Sequence, residues 1–412
     1  MAKPWTHLTT LFLAALALRL AFVFGGFAAP RGELAYADER EYDAVARNIA
    51  QGKGFVDTYG RRASRAPGYP LFLAACYKVF GQTCAPVRFI QCVLGAVTAL
   101  AAAALAFRLA PPAAGALCGW LVALDPFQIV WSSFILSESL FIPLLVLAVL
   151  ALAPAWESTL NPERRPAWGM ALAAGALLGL AVLVRSSLLL FPVCLVPLWV
   201  LAARLRRRAM GLACVAVAAL AVVQVPWVWR NAAVFGRFIP ATLQVGESLL
   251  EACGPGADGA PRIDRMAQTY TSEMNALSEI DRNQRFRDEA LRWMRQNPGE
   301  VARLAFIKLG RFWNLAPNAS EYRSRWIVAA SMAWSFAIYI AALAGLAAAW
   351  RKWRWLALLL APVLYYSGLH MIFVGSVRYR APVMPFVMVL AAWGAAQVFC
   401  RARPAGDAPC PT

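Results

Sequence analysis

Long apolar stretches recur along this chain and are separated by short polar segments. About ten of them approach the twenty or so residues that an α-helix needs to cross a bilayer. They lie at residues 8–27, 87–109, 113–124, 135–153, 168–184, 188–203, 210–229, 326–350, 356–374 and 382–400. The pattern predicts an all-α polytopic membrane protein with about ten transmembrane helices. The third stretch is short, and the junction at 183–190 is ambiguous.

The charge composition agrees with a membrane protein. The 412-residue chain is 60% hydrophobic and 15% charged, with 40 Lys and Arg against 22 Asp and Glu. Soluble proteins carry about 25% charged residues. A net charge of +18 would suggest nucleic-acid binding in a soluble protein. Here the basic residues collect between apolar stretches, as in cytoplasmic loops of membrane proteins, so no nucleic-acid partner is expected.

The arginine-rich segments predict the topology. Arg108, Arg164 and the clusters at 204–208 and 351–354 fall on one side, which the positive-inside rule makes the cytoplasm, together with both termini. The opposite side receives two long loops, at 28–86 and 230–325. We therefore expect one transmembrane domain, residues 1–412, in the cell inner (plasma) membrane.

The first apolar stretch has a second interpretation. Small residues near Ala28 would suit the cleavage site of a signal peptide. The stretch is long for such a peptide and carries Arg19, which favours a retained anchor.

The first outer loop predicts two short helices at the membrane interface. Asp38 followed by Glu41 fits a capping box, and Gly52 suits a helix end. Apolar residues then share one helical face: Tyr42, Val45, Ala46 and Ile49. The spacing predicts an amphipathic helix lying at the interface, and the segment at 64–81 predicts a second one.

The outer side also carries basic residues that break the positive-inside pattern. Each alone would be an ordinary solvated loop residue, but as a set they suit an anionic lipid or phosphate ligand. They are Arg61, Arg62, Arg65, Arg185, Arg230, Arg378 and Arg380. The acids Asp38 and Glu39 lie in the same loop as three of them. Taken alone, Asp38 would be a helix cap and Glu39 a solvated first-turn acid.

Six segments together resemble a known family. They are "ADEREYDAVARNIAQGKGF" (37–55), "RAPGYPLFLAACYKVFG" (65–81), "SFILSESLF" (133–141), "VRSSLLLFP" (184–192), "PWVWRNAAVFGRFIP" (226–240) and "VRYRAPVMPF" (377–386). In this order they resemble integral-membrane glycosyltransferases of the GT-C fold. The likeness is to the bacterial protein mannosyltransferase and aminoarabinose transferase-like family, which is glycosyltransferase family 39-like.

The resemblance implies a reaction and a set of site residues. Such enzymes pass a sugar from a polyprenyl-phosphate donor to an envelope lipid, polysaccharide or protein, typically with inversion. By motif position, Asp38 is implied as the general base, with Glu39 as its neighbour. Arg65 and Arg185 match positions near the lipid phosphate, although Arg185 also suits snorkelling to the headgroups.

Other polar residues are candidates for substrate binding. Arg378 and Arg380 bracket Tyr379 in a short outer turn and are expected to close the same pocket, and Tyr69 lies in the Pro-Gly-Tyr-Pro turn. Glu138 begins an apolar stretch and is either functional or paired with a local donor such as Ser137. Two further residues are expected to have structural roles: His370 as a packing histidine and Lys308 as a snorkelling lysine.

No metal ligand set is predicted, because the chain has two histidines and no clear acid triplet. Asp38 and Glu138 would share a divalent cation if the fold brought them together. Competing functions are a transporter or lipid-linked saccharide flippase, and an O-antigen ligase or polymerase-like enzyme. Transporters tend to show internal repeats and helices broken at the midplane. Here no repeat is visible and the polar residues gather at the outer rim, which favours the glycosyltransferase.

Overall fold

The computed structural model describes residues 4–26, 34–261, 277–318 and 324–401. Within these residues the regular secondary structure is helical and contains no strand. The parts of the two predicted outer loops at 28–33, 262–276 and 319–323 lie outside the described residues.

A helix lies at each of the ten predicted apolar stretches. These helices are α1 (Pro4–Phe24), α4 (Cys84–Leu109), α5 (Pro112–Leu124), α7 (Glu138–Leu160), α8 (Trp168–Val184), α9 (Phe191–Ala202), α10 (Arg206–Phe235), α14 (Arg325–Ala349), α15 (Trp353–Ile372) and α17 (Met384–Arg401). The other α-helices of the described residues lie between them: α2 (Ala37–Ala50), α3 (Gly68–Phe80), α6 (Pro126–Trp131), α11 (Val245–Ala252), α12 (Glu279–Gln296), α13 (Pro298–Phe312) and α16 (Val377–Arg380).

Length and hydropathy identify the helices that can cross a membrane. In the described part of the chain, six segments qualify: His7–Phe24, Cys84–Leu109, Glu138–Leu160, Arg206–Phe235, Arg325–Ile372 and Val377–Val398. Shorter apolar helices lie at Ala113–Leu124, Trp168–Val184 and Ser186–Ala202. The prediction of an all-α polytopic membrane fold is confirmed, whereas the number of crossings stays a prediction.

The ambiguous junction after α8 is a break between two helices. α8 ends at Val184, Arg185 has an extended backbone (φ −141°, ψ 108°), and a 3-10 turn follows at Ser186–Leu188. Pro192 lies in the first turn of α9. Backbone N–H groups in the first turn have no acceptor within the helix, so the N–H that proline lacks costs no hydrogen bond there. The break places Arg185 and the serines after it at a helix end.

Glycines allow the long helices to approach closely. A Cβ at Gly345 of α14 would lie 1.9 Å from the carbonyl oxygen of Leu390 in α17. A Cβ at Gly175 of α8 would lie 2.0 Å from the carbonyl oxygen of Ala216 in α10. Small residues at such crossings are typical of helix packing in membranes, where van der Waals contact is the main attraction.

The two ends of the bundle differ in chemistry. Helix α7 runs from Glu138 to Leu160, so Glu138 and Glu157 lie about 28 Å apart at opposite ends of it. Near Glu157, Arg208 donates to the carbonyl oxygens of Ser158 and Arg164 at 2.8 and 2.7 Å. We call this the Arg208 end. The opposite end, which carries Glu138 and Asp38, is the Asp38 end.

The amphipathic helix of the first loop is present, but its start differs from the prediction. Tyr42, Val45 and Ala46 are buried, as the pattern indicates. The predicted capping box of Asp38 and Glu41 is wrong: the helix begins at Ala37, and Glu39 accepts the amide N–H of Tyr36 at 2.9 Å. Asp38 therefore lies inside the first turn, and its carboxylate is not used as a cap.

Candidate active site

Asp38 is held between two arginines from distant parts of the chain. Its Oδ1 accepts from Arg65 Nη2 at 2.7 Å, and its Oδ2 accepts from Arg378 Nη1 at 2.7 Å. Burial alone would raise the pKa of this carboxyl. The charges and hydrogen bonds of Arg65 and Arg378 outweigh burial and hold the pKa of Asp38 well below its ordinary value. Asp38 is therefore ionised at neutral pH.

Arg378 also contacts Glu138, which is fully buried at the start of α7. Arg378 Nε donates to Glu138 Oε1 at 2.5 Å, and Arg185 Nη1 forms an ion pair with the same oxygen at 2.6 Å. A buried carboxylate needs such partners, because removing a charge from water is costly. The predicted local donor, Ser137, instead contacts the hydroxyl of Tyr42 at 3.3 Å.

Glu41 completes the charged cluster and was missed as a site residue. Its Oε2 accepts from Arg65 Nε at 2.9 Å and from Arg65 Nη2 at 2.7 Å. The three carboxylates then balance the three guanidiniums of Arg65, Arg185 and Arg378. Each arginine carries five N–H donors, so donors remain for an anionic ligand.

These groups line a cavity of about 140 Å³. Its charged lining consists of Asp38, Arg65, Arg185 and Arg378. The remaining lining residues are Tyr42, Ala66, Val184, Ser186, Ser187, Thr242, Gln244 and Tyr379. The cavity lining therefore combines one carboxylate, three guanidiniums, two phenol rings and several other uncharged residues.

Tyr379 forms an aromatic wall beside Arg185. The Arg185 guanidinium carbon lies 5.6 Å from the centre of the Tyr379 ring, within the range of a cation–π contact. On its other side Tyr379 stacks on His370, with the centroids 4.8 Å apart and the planes 8° from parallel. His370 Nδ1 lies 2.8 Å from the carbonyl oxygen of Val374. His370 is thus a packing residue that supports Tyr379.

Glu39 does not face this cavity. Its Oε1 accepts the amide N–H of Ile135 at 2.7 Å, and its Oε2 accepts that of Tyr36. The side chain is fully buried. Glu39 therefore ties the start of α2 to the segment that precedes α7, and the structure brings Asp38, without Glu39, to the cavity.

Tyr69 and Arg380 also lie outside the cavity lining. The buried Tyr69 donates its hydroxyl to Gln91 at 2.6 Å, and its ring packs edge-to-face behind Tyr42 at 4.9 Å. Arg380 is buried on the other side of α16, where it contacts the hydroxyl of Tyr339 and stacks over the Phe127 ring at 5.0 Å. Both residues stabilise the surroundings of the site.

The residues present do not fit a shared divalent cation. Asp38 and Glu138 are brought together, but the Arg378 guanidinium binds both carboxylates and occupies the position of the cation. In the described part of the chain, no group of three or more His, Cys, Asp or Glu side chains has a metal-binding arrangement.

Sequence reasoning missed most of the uncharged lining. Ser186 and Ser187 follow Arg185 directly, and Arg185 was the only residue of the three that the sequence indicated as a candidate for the site. Thr242 and Gln244 lie in the segment between α10 and α11, which carries no recognisable motif. Only the packing of that segment against the first loop brings them to the cavity.

Part of the chain matches a known sequence family. Residues 64–229 match the family described as dolichyl-phosphate-mannose-protein mannosyltransferase. This match contains Arg65, Glu138 and Arg185 and begins after Asp38. No curated protein matches the chain.

Solved structures show the same architecture over nearly the whole chain. The archaeal oligosaccharyltransferase AglB from Archaeoglobus fulgidus, in complex with an inhibitory peptide and a dolichol-phosphate, gives a TM-score of 0.63 at 14% identity. The match covers 99% of this chain and 53% of AglB, so the chain spans about half the length of that protein. ArnT from Cupriavidus metallidurans, bound to undecaprenyl phosphate, gives 0.50 at 15% identity, covering 96% of this chain and 78% of ArnT.

At these identities the structural likeness establishes the fold alone. The fold and the family match agree with the resemblance predicted from the sequence, which is confirmed. This chain is a membrane protein of the GT-C fold that is similar, over residues 64–229, to the dolichyl-phosphate-mannose-protein mannosyltransferase family.

Proposed function

We propose that this chain is a glycosyltransferase that moves a sugar from a polyprenyl-phosphate donor to an acceptor at the outer face of the cell inner membrane. The observation that carries the proposal is the cavity in which the Asp38 carboxylate meets the guanidiniums of Arg65 and Arg378. Dolichol-phosphate in the AglB complex and undecaprenyl phosphate in the ArnT complex are ligands of the same chemical class.

The outer face is proposed from the distribution of charge. The Arg208 end carries the basic clusters that mark cytoplasmic loops, and the cavity lies at the Asp38 end. A polyprenyl phosphate has its chain in the bilayer and its phosphosugar at the headgroups. A cavity at the end of the bundle meets such a donor at that level.

The guanidiniums would bind the donor phosphate. Arg185 and Arg378 share Glu138 and also line the cavity, and each has more N–H donors than Glu138 uses, so they can hold phosphate oxygens without leaving Glu138 unpaired. As the bond between the anomeric carbon and the phosphate oxygen breaks, the leaving phosphate gains negative charge. Positive groups already in place stabilise that charge without reorganisation.

Asp38 would act on the acceptor hydroxyl. It accepts the hydroxyl proton as the acceptor oxygen bonds to the anomeric carbon from the face opposite the leaving phosphate, which inverts the configuration. Arg65 and Arg378 lower the pKa of Asp38, so its carboxylate is ionised at neutral pH and able to accept a proton. The same two guanidiniums hold the carboxylate in position beside the donor phosphate.

The test is sugar transfer by the purified full-length protein from radiolabelled polyprenyl-phosphate sugars to envelope acceptors (lipid, polysaccharide or protein). We expect Asp38→Asn to lower the transfer rate about 10²- to 10⁴-fold while donor binding persists. Asp288→Asn, an exposed acid of α12 paired with its neighbour Arg287, is the matched control and should transfer normally.

Three outcomes would contradict the proposal. Wild-type transfer rates in Asp38→Asn would reject Asp38 as the base. Movement of intact donor across vesicle membranes without transfer would favour a flippase or transporter. Transfer only from diphosphate-linked saccharides would favour an enzyme of the O-antigen ligase or polymerase type.

A further inference from the structure

Part of the cavity lining carries no charge. It includes Ser186 from the 3-10 turn after α8, and Thr242 and Gln244 from the segment before α11. We call Ser186, Thr242 and Gln244 the neutral wall. The proposed roles of Asp38 and the arginines make no use of these three residues.

The segment that carries Thr242 and Gln244 is anchored by its other residues. Leu243 is buried with Ala63 and Trp227, and its amide N–H donates to the carbonyl oxygen of Ala63 at 2.8 Å. Trp227 Nε1 donates to the carbonyl oxygen of Ala241 at 2.8 Å. These contacts hold the segment against the first loop, and Thr242 and Gln244, on either side of the buried Leu243, line the cavity.

The polar side-chain atoms of the neutral wall make few hydrogen bonds to the described part of the protein. Ser186 Oγ and Thr242 Oγ1 are 3.5 Å apart, longer than an ordinary hydroxyl–hydroxyl hydrogen bond. The Gln244 side chain has no hydrogen-bond partner among the described residues. Ser187 differs, because its hydroxyl lies 3.2 Å from that of Tyr366. The neutral wall thus offers two hydroxyls and one amide to a ligand.

We propose that the neutral wall binds the hydroxyl groups of the donor sugar, and that this sugar is uncharged. The inference rests on the proposed function and specifies its substrate class. Hydroxyl and amide side chains both donate and accept, as sugar hydroxyls do. A cationic amino sugar would need a carboxylate, but those of Asp38 and Glu138 are already bound by guanidiniums.

The cavity of about 140 Å³ offers different groups to the two parts of a phosphosugar. The arginines would hold the phosphate, and the neutral wall would contact the ring that the phosphate carries. The hydroxyls of that ring are the groups by which one uncharged sugar differs from another.

The experiment compares the affinity of the full-length protein for undecaprenyl phosphate without sugar and with a neutral hexose, a neutral pentose or an amino sugar attached. We expect wild type to bind at least one neutral-sugar donor more tightly than both the sugar-free lipid and the amino-sugar donor. Thr242→Val and Gln244→Leu should each weaken binding of that neutral-sugar donor about two- to tenfold and leave binding of the sugar-free lipid unchanged.

Two controls separate hydrogen bonding from folding. Thr242→Ser keeps the hydroxyl and should bind the neutral-sugar donor nearly as wild type does. Gln82→Leu removes an amide at an exposed position, where it contacts Arg47 outside the cavity, and should change neither affinity.

The outcomes distinguish this inference from the proposed function. Equal losses for both ligands, no loss for either, or preference for the amino-sugar donor would overturn the neutral wall as the sugar site. Equal wild-type affinity for the sugar-free and neutral-sugar lipids would also overturn it and leave the phosphate site intact. Failure of wild type to bind any of these lipids would reject the proposed function together with the inference.

Discussion

Arg378 donates to the carboxylate of Asp38 at 2.7 Å, although 340 positions of sequence separate the two residues. The contact joins the first short helix, α2, to the four-residue helix α16 near the end of the chain. Because Arg378 also binds Glu138, one guanidinium fixes both acids at the cavity. The proposed base and the proposed phosphate-binding group are therefore positioned by the same contact.

The adjacent acids Asp38 and Glu39 should respond differently to neutralisation. Glu39→Gln keeps one carbonyl oxygen for two backbone amides, so one buried N–H loses its acceptor at a cost of about 1–3 kcal/mol. We expect lower thermal stability but a transfer rate per folded molecule within severalfold of wild type. Transfer assays on detergent-purified, folded protein check this expectation. A loss of transfer as large as that of Asp38→Asn would instead assign chemistry to Glu39.

Glu138 is expected to be essential for the stability of the site. Glu138→Gln leaves the partly buried guanidiniums of Arg185 and Arg378 without their shared, fully buried carboxylate, and breaking a buried ion pair costs about 3–5 kcal/mol. Thermal unfolding in detergent should show a clear fall in Tm. Glu300→Gln removes an exposed pair with Arg303 and should leave Tm unchanged. Similar Tm values for the two variants would mean that water enters the Glu138 site freely.

Gly375 should not tolerate a side chain. A Cβ there would lie 2.1 Å from the carbonyl oxygen of Lys308. The expected snorkelling of Lys308 is wrong, because this lysine is buried and its Nζ donates to the carbonyl oxygen of Ile372 at 2.6 Å. Gly375→Ala therefore pushes apart two fixed backbones just before Arg378.

We expect Gly375→Ala to lower stability by about 1–3 kcal/mol, the usual range for overpacking, and to reduce the transfer rate by displacing Arg378. Gly368→Ala in α15 is the matched control, since a Cβ there meets nothing within 4 Å. Tm and transfer rate should be measured for both variants. Equal behaviour of the two glycine variants would show that the segment before Arg378 adapts without cost.

The lowered pKa of Asp38 predicts a pH dependence of stability. An unfolded aspartate titrates near about 3.9, whereas the pKa of Asp38 in the folded protein lies well below its ordinary value. Ionisation of Asp38 therefore stabilises the folded state above about pH 4, and this contribution is lost as pH falls through the lowered pKa.

Thermal unfolding of wild type and Asp38→Asn between about pH 3 and 8 tests this dependence. The difference in Tm should be constant from about pH 8 to 5 and should shrink only below about pH 4. A difference that already disappears near neutral pH would show that Arg65 and Arg378 do not hold Asp38 ionised.

The sequence by itself determined the helices and the chemical character of the site. Apolar stretches of bilayer length must form helices in a membrane, because backbone groups find no other partner there. Basic segments between them indicated the orientation, and the outer arginines together with Asp38 indicated a site for an anionic ligand. These signals are local, so they can be read without knowledge of which helices touch.

Only the tertiary structure decided which member of each candidate pair faces the cavity. Adjacent helical residues point about 100° apart, so Asp38 and Glu39 diverge, and Arg378 and Arg380 lie about 200° apart on α16. The contacts of α2 and α16 with their neighbours select Asp38 and Arg378. The sequence did not indicate Thr242 or Gln244 as site residues, because their position at the cavity depends on the packing of Leu243 against the first loop.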